Sequence, residues 1–181
     1  MVQSFRGTVE RWLDTTLAAD IYISPPSLVS SQVSATVRPE VLEKLLAIPG
    51  IESRTTFRSV QVDSTKGPVS LVALDTDLPT FSKPRRFKQG NPTDIWEAFQ
   101  RGDTVIVSEP LAYHRNLEVG STVTLSTNQG DTDFRVAGIY FDYSSSQGVV
   151  MMARGVYDRY WSDRGVSSMS IYAAPDTDIG A

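Results

Sequence analysis

The side chains that could form a catalytic triad are few in this sequence. His114 is the only histidine, so it would have to act as the base, with Ser108 or Ser144 as nucleophile and Asp142 as the third member. Neither serine lies in a G-x-S-x-G segment, the motif that exposes the serine of many hydrolases on a sharp turn. Ser108 instead precedes a predicted helix as its capping residue, and His114 lies near the end of that helix, where a cation is stabilised. We therefore expect structural roles for these residues.

Pairs of carboxylates, which could bind a cation or cleave a glycosidic bond, also occur. The pairs are Asp75/Asp77, Asp131/Asp133 and Asp176/Asp178. A calcium loop of the EF-hand type needs a third ligand, a glycine and a late glutamate in register, and none of the pairs is followed by them. Any soluble protein has acidic residues in turns, so we expect neither a metal site nor a glycosidase pair here.

Motifs that bind cofactors are missing from the sequence. It contains neither the phosphate-binding pattern G-x-x-x-x-G-K-[ST] nor the dinucleotide pattern G-x-G-x-x-G. It has no cysteine, which excludes disulfides, thiolate catalysis and cysteine-based zinc sites. The sequence therefore predicts no catalytic, cofactor-binding or metal-binding residues, and ATP would have to bind to another domain or subunit.

Charge and hydropathy exclude two further classes of protein. The net charge is -4, and the densest basic run, Lys83–Arg86, is too short to neutralise a series of phosphates, so nucleic acid is not a predicted partner. The longest apolar runs are a handful of residues, whereas a membrane-spanning helix needs roughly 20. The N-terminus also lacks the basic start and apolar core of a signal peptide. If the domain works outside the cytoplasm, we expect a segment beyond this sequence to place it there.

Hydrophobic periodicity and turn residues predict the order of helices and strands. Helices are expected over residues 2–17, 38–48, 92–101, 109–115 and 154–161. Strands are expected over residues 19–24, 51–63, 69–75, 104–107, 122–127, 133–141, 149–153 and 167–173. The aromatic residues Trp96, Tyr157 and Trp161 fall at helical spacing and are predicted to pack in a core rather than to bind a partner.

This order predicts an α+β fold made of a split unit and an insertion. Strand–helix–strand–strand at the start and strand–helix–strand at the end are typical of a split βαβ, ferredoxin-like unit. We assign residues 19–76 and 148–175 to this unit. Residues 77–147 form a predicted inserted subdomain that is mostly β, and residues 1–18 form an N-terminal helix that begins without a capping residue.

Several segments resemble one family of membrane proteins. The segments are Ser4-Phe5-Arg6, Trp12-Leu13, Leu17–Ile23, Leu46–Glu52, Val107–Ala112, Leu117–Leu125 and Phe134–Tyr143. In order and spacing they resemble the region after the first membrane helix of MacB/FtsX-like ABC transporter permeases. The resemblance extends over nearly the whole chain.

The resemblance implies a location, a set of partners and a function. In the family this region lies on the periplasmic side of the bacterial inner membrane, between the first and second membrane helices, and consists of a porter-like α+β subdomain with a β-rich insertion. It implies a cytoplasmic ATPase subunit, a second permease copy and a possible periplasmic adaptor. The domain would couple ATP-driven movement of membrane helices to substrate export or to a partner, without catalysis.

Two further expectations follow. Because both ends of the domain would lead back to the membrane, residues near Asp20 and near Ala173 are expected to lie close together. The alternative is a free-standing ligand-binding module, or a weak serine hydrolase that uses Ser108 or Ser144 with His114.

Overall fold

The structure of the chain is a computed structural model that describes residues 19–25, 35–48, 51–75, 87–142 and 145–173. The predicted N-terminal helix, Ser144 and most of the predicted loop at 77–91 lie outside these ranges. The described residues form four helices and nine strands. Within these ranges, no helix has both the length and the apolar character that crossing a bilayer requires.

The helices and strands follow the predicted order. The helices are α1 (Pro39–Leu46), α2 (Pro92–Arg101), α3 (Glu109–Arg115) and α4 (Arg154–Tyr160). The strands are β1 (Ile21–Ile23), β2 (Ile51–Val62), β3 (Val69–Leu74), β4 (Phe87–Gln89), β5 (Thr104–Ser108), β6 (Thr122–Thr127), β7 (Gly130–Tyr140), β8 (Val149–Ala153) and β9 (Ser168–Ala173). Every helix and strand predicted within the described ranges is present, and the short β4 is added in a stretch that was expected to be a loop.

The β6–β7 hairpin is longer than predicted, because β7 begins at Gly130 rather than at residue 133. Thr127 pairs with Gly130 in the antiparallel register, so Asn128 and Gln129 alone form the tip of the hairpin. Gly130 has a φ of +99°, which glycine adopts without the strain that a side chain would bring. The ladder therefore continues to the tip.

Helix α2 shows how local signals and packing agree. Asn91 Oδ1 accepts a hydrogen bond from the Thr93 N–H at 2.9 Å, which caps the first turn. Ile95 and Phe99 are buried on the face of α2 that meets the sheet. Ile95 lies directly over Gly138 of β7, where an added Cβ would be 2.6 Å from Ile95 Cδ1. The missing side chain at Gly138 thus lets the helix approach the sheet.

All nine strands form one mixed sheet, in the order β1-β9-β2-β3-β8-β5-β7-β4, with β6 paired to β7. The pairs β3–β8 and β5–β7 are parallel, and the other pairs are antiparallel. The last strand, β9, therefore lies between the first two strands of the chain. The predicted α+β fold is confirmed.

The strands of the predicted insertion adjoin the strands of the split unit along one short ladder. β5 and β8 share only two register pairs, Ile106 with Met151 and Val107 with Val150. A single hydrophobic cluster nevertheless includes buried residues from both stretches of chain. The boundaries at 76–77 and 147–148 stay a prediction, and the two stretches share a core.

Gly148 offers a test of the packing between α3 and β8. Its φ is +79°, and an added Cβ would lie 2.8 Å from Leu111 Cα. We expect Gly148→Ala to lower the free energy of unfolding by about 2–5 kcal/mol, because backbone strain and a backbone clash add together. Gly155→Ala is the matched control, since an added Cβ there meets nothing within 4 Å, and it should be neutral or stabilising by up to about 1 kcal/mol.

Denaturant unfolding of the three proteins measures both effects. Equal stability of Gly148→Ala and the unaltered chain would contradict the described packing of α3 on β8.

Candidate functional site

The two ends of the described domain meet at one edge of the sheet. The Asp20 N–H donates to the Ile171 carbonyl at 3.0 Å, and the Ala173 N–H donates to Asp20 Oδ2 at 2.8 Å. Between them, β1 and β9 run antiparallel with Ile21 opposite Ile171. The expectation that residues near Asp20 and Ala173 lie close together is confirmed. We call this pairing the end clamp, which comprises Asp20, β1 and β9.

The clamp is anchored to the rest of the protein through β9. Met169 and Ile171 of β9 are 1% and 3% exposed, whereas Ile21 and Tyr22 of β1 are 38% and 50% exposed. β9 also pairs with β2 along its other edge. A displacement of β1 therefore acts first on β9, and β9 is held on both edges.

The connector, residues 161–167, leads from α4 into β9 and is fixed by a charged cluster. Arg58 Nε of β2 donates to Asp163 Oδ2 at 2.6 Å, and Arg58 Nη1 donates to Ser167 Oγ at 2.9 Å. The Tyr157 hydroxyl donates to the same carboxylate oxygen at 3.1 Å. The Arg58 side chain is only 6% exposed, so its charge is removed from water and compensated by these acceptors.

The protonation of this cluster follows from its contacts. Burial alone would raise the pKa of the Asp163 carboxyl, but hydrogen bonds from the Gly165 N–H, Arg58 and Tyr157, together with the charge of Arg58, lower that pKa below its ordinary value. Burial and the Asp163 carboxylate raise the pKa of Tyr157, so its hydroxyl keeps the proton that it donates. The pair Arg58–Asp163 is therefore charged at neutral pH, and it ties the connector to β2.

Among the described residues proposed for a hydrolase, Ser108 and His114 are not brought together. The Ser108 hydroxyl is buried and accepts a hydrogen bond from the Val149 N–H at 2.8 Å. His114 is exposed and lies six residues further along α3, or about 9 Å at the helical rise of 1.5 Å per residue. A general base must reach its nucleophile within roughly 3 Å. Asp142 accepts from the Tyr140 hydroxyl at 3.2 Å, and Ser144 lies outside the described residues.

The prediction that the Ser108 side chain caps α3 is wrong. Ser108 occupies the capping position, but its side chain makes no capping hydrogen bond. Its oxygen instead accepts from the Val149 N–H, a buried donor that would otherwise face the core. A tertiary contact 41 residues away along the chain thus replaces the local one that the sequence indicated.

The carboxylate pairs within the described residues take part in local hydrogen bonds. Asp133 Oδ1 accepts from the Thr124 hydroxyl at 2.7 Å, and Asp131 Oδ1 accepts from the Ser126 hydroxyl at 2.8 Å, across the β6–β7 hairpin. Asp75 Oδ2 accepts from the Thr56 N–H at 3.1 Å. The other members of the pairs lie outside the described residues. In the part of the chain that the structure describes, no three potential metal ligands come together.

Sequence reasoning missed the Arg58–Asp163 cluster, because the two residues are 105 positions apart and neither lies in a motif. The only available signal was a charged residue within a predicted strand. The aromatic residues were predicted better. Tyr157 is 1% exposed, and its ring stacks on that of Trp161 at a centroid distance of 5.0 Å, which confirms their packing role.

Comparison with known proteins gives one match in sequence. The chain is 33% identical over 183 residues to Rv0987, an uncharacterized ABC transporter permease protein of Mycobacterium tuberculosis. The match covers 99% of this chain and 21% of the permease, so the chain spans about a fifth of that relative's length. No protein-family profile matches the sequence.

Two solved structures share the fold. The periplasmic region of MacB from Actinobacillus actinomycetemcomitans matches with a TM-score of 0.54 and 15% identity, over 87% of this chain and 75% of that one. The extracellular domain of the noncanonic ABC-type transporter YknZ from Gram-positive bacteria matches with a TM-score of 0.52 and 12% identity, over 86% of this chain and 83% of that one. In fold the chain is similar to the MacB periplasmic region and the YknZ extracellular domain, and in sequence it is similar to part of an ABC transporter permease, as the resemblance predicted.

The lowered pKa of Asp163 predicts a pH-dependent contribution to stability. A carboxyl with a lowered pKa in the folded state stabilises the fold above its unfolded pKa of about 3.9, and this contribution is lost as the pH falls through the folded pKa. At pH 7 we expect Asp163→Asn to cost roughly 1–3 kcal/mol, because Arg58 loses its charged partner. The difference from the unaltered chain should shrink as the pH falls below about 4.

Urea unfolding between pH 7 and pH 3 measures this difference. Glu52→Gln removes one exposed carboxylate from β2 and serves as the control, with an expected effect within about 0.5 kcal/mol. A difference between Asp163→Asn and the unaltered chain that is the same at every pH would contradict the charged pairing.

Proposed function

We propose that this chain is a non-catalytic domain of an ABC transporter permease, and that it passes ATP-driven movement of the membrane helices to an exported substrate or to a periplasmic partner. The observation that carries the proposal is the end clamp. The N-terminal and C-terminal ends of the described domain are hydrogen-bonded to each other through Asp20 and Ala173. Membrane helices attached to these ends would thus act on one edge of one sheet.

The way in which β9 is held supports this role. β9 pairs with β1 on one edge and with β2 on the other. Its connector is fixed by the buried Arg58, whose guanidinium bridges Asp163 and Ser167. A force applied to the end clamp would therefore be resisted by the backbone hydrogen bonds of β9 and by the Arg58–Asp163 pair, rather than being taken up by a flexible linker. Movement at the membrane would displace the sheet instead of being absorbed at its edge.

The proposed partners follow from what the sequence lacks and from the class of protein. Because the sequence contains no phosphate-binding loop, ATP would be bound by a cytoplasmic ATPase subunit. The class also implies a second permease copy and, on the periplasmic side of the inner membrane, a possible adaptor. The chain would be coupled to the ATPase subunit through the membrane region of the whole permease.

The proposal is tested in the whole permease assembled with its ATPase in lipid nanodiscs. A donor fluorophore is attached through Asp94→Cys, an exposed position in the first turn of α2, in a parent without other cysteines. The acceptor is a fluorescent lipid in the outer leaflet. We expect the transfer efficiency to change when ATP replaces ADP, because the domain moves relative to the membrane.

The control is an ATPase variant that binds but does not hydrolyse ATP. With it, the transfer efficiency should keep a single value after ATP is added, because the domain stays in one position. The same transfer efficiency in every nucleotide state would contradict the coupling role.

A further inference from the structure

Besides the Arg159–Asp103 ion pair and the packing of α3 against Gly148, hydrogen bonds join the inserted strands to the rest of the domain at three places. The first is the β5–β8 ladder, which is short, with two register pairs. The hydrogen bond from the Val149 N–H to Ser108 Oγ extends it by one contact. Two pairs of strand residues alone would leave a joint about which the two parts could rotate, so the rigidity of the domain also depends on the contacts elsewhere.

The second contact place joins the β2–β3 turn to β6 and α3. The Ser126 N–H donates to the Asp63 carbonyl at 2.9 Å, and Ser64 forms an antiparallel bridge with Leu125. The Arg115 guanidinium of α3 donates to Ser64 Oγ at 2.6 Å and extends across the turn. The free edge of β6 is thereby attached to the end of β2. Buried residues of β3, β8, β5, β7 and β6 all belong to the shared core.

The third contact place lies between the tip of the β6–β7 hairpin and the C-terminal end of α4. The Asn128 N–H donates to the Tyr160 carbonyl at 3.1 Å, and Asn128 Oδ1 accepts from the Ser162 N–H at 2.9 Å. Gln129 Nε2 donates to the Arg159 carbonyl at 2.8 Å. The last carbonyls of a helix lack partners within the helix, so the hairpin tip supplies hydrogen bonds that α4 needs.

An aromatic stack lies beside this third contact. The Trp161 ring is stacked on Tyr157 of α4 at 5.0 Å between centroids and on Phe134 of β7 at 6.1 Å, with interplanar angles of 11° and 19°. Phe134 is 0% exposed. Trp161 therefore lies between the split unit and the insertion, with one ring from each on either side. Stacked aromatic pairs contribute about 0.5–1.5 kcal/mol beyond the area they bury.

We propose that the hairpin tip and the Trp161 stack act as a strut, defined by Asn128, Gln129, Trp161 and Phe134, which makes the inserted strands and the end clamp move as one rigid body. The strut acts on the C-terminal end of α4, which leads directly into the connector. The connector is held to β2 by Asp163 and continues into β9, which ends beside Asp20. The inference deepens the proposed function, because it names the path that carries a displacement from the clamp to the insertion.

The strut is tested on the 181-residue chain itself, without membrane, ATPase or substrate. The chain contains no cysteine, so spin labels can be placed at Glu52→Cys in β2 and Glu118→Cys in the insertion, which are both exposed. Pulsed electron–electron double resonance then gives the distribution of distances between the two spin labels, one in each part of the domain. We expect a single narrow distribution, which broadens in Asn128→Ala/Gln129→Ala and in Trp161→Ala.

Conservative variants separate a strut from a general loss of stability. Asn128→Asp keeps the oxygen that accepts from the Ser162 N–H, and Trp161→Phe keeps a stacking ring, so both should retain the narrow distribution. Gln100→Ala on the exposed face of α2 is the surface control and should also leave it narrow. If Trp161→Ala does not fold, the double variant at the exposed hairpin tip carries the test.

Two results would overturn the inference. A broad distribution in the unaltered chain would show that the parts are not one body. A narrow distribution in every strut variant would assign the rigidity to the other contacts between the two parts. Since the labelled chain is measured alone, these results hold whether or not the whole permease shows nucleotide-dependent movement.

Discussion

The last strand of the domain, β9, forms backbone hydrogen bonds with β1 on one edge and with β2 on the other. A strand in this position has to be delivered from α4 by a connector of defined course, because a shift of one residue would turn the buried Met169 and Ile171 outward. The Arg58–Asp163 pair fixes that course. The meeting of the two ends of the described domain, and hence its proposed attachment to a membrane, depends on this one arrangement.

Several hydroxyls and carboxylates of the described residues form hydrogen bonds with each other or with the backbone, as Thr124 with Asp133 at the surface and Ser108 with the Val149 N–H in the core. These contacts close a hairpin and join β5 to β8. These hydrogen bonds therefore stabilise the described fold of the domain.

The sequence predicted what depends on short-range pattern. Hydrophobic periodicity and turn residues defined β2 and β3, and the predicted range 92–101 agrees with the bounds of α2. Sequence reasoning failed where the role of a residue depends on a contact with a distant part of the chain. Ser108 has the local signature of a helix cap, yet its oxygen is taken by the Val149 N–H 41 residues away. The strand β4 was missed because its three residues depend on pairing with β7 rather than on a pattern of their own.

The candidate functional site was also predicted only in part from the sequence. The closeness of residues near Asp20 and Ala173 could be predicted. The resemblance implies a domain between two membrane helices, and both ends of such a domain lead to the same membrane. The contact that fixes the connector before β9 could not be predicted, since Arg58 and Asp163 are 105 residues apart and no motif includes them. The hairpin tip at Asn128 was recognised as a turn, and only the fold shows that it reaches the end of α4.

The central claim, that this domain lies outside the cytoplasm as part of a permease, is tested most directly by thiol labelling of the whole permease in intact cells. Tyr113 is 83% exposed, so Tyr113→Cys presents a reactive thiol at the surface of α3. With the unaltered permease as background, a thiol reagent that does not cross the inner membrane should label Tyr113→Cys in intact cells whose outer layers admit it. Labelling that occurs only after the inner membrane is permeabilised would contradict the account.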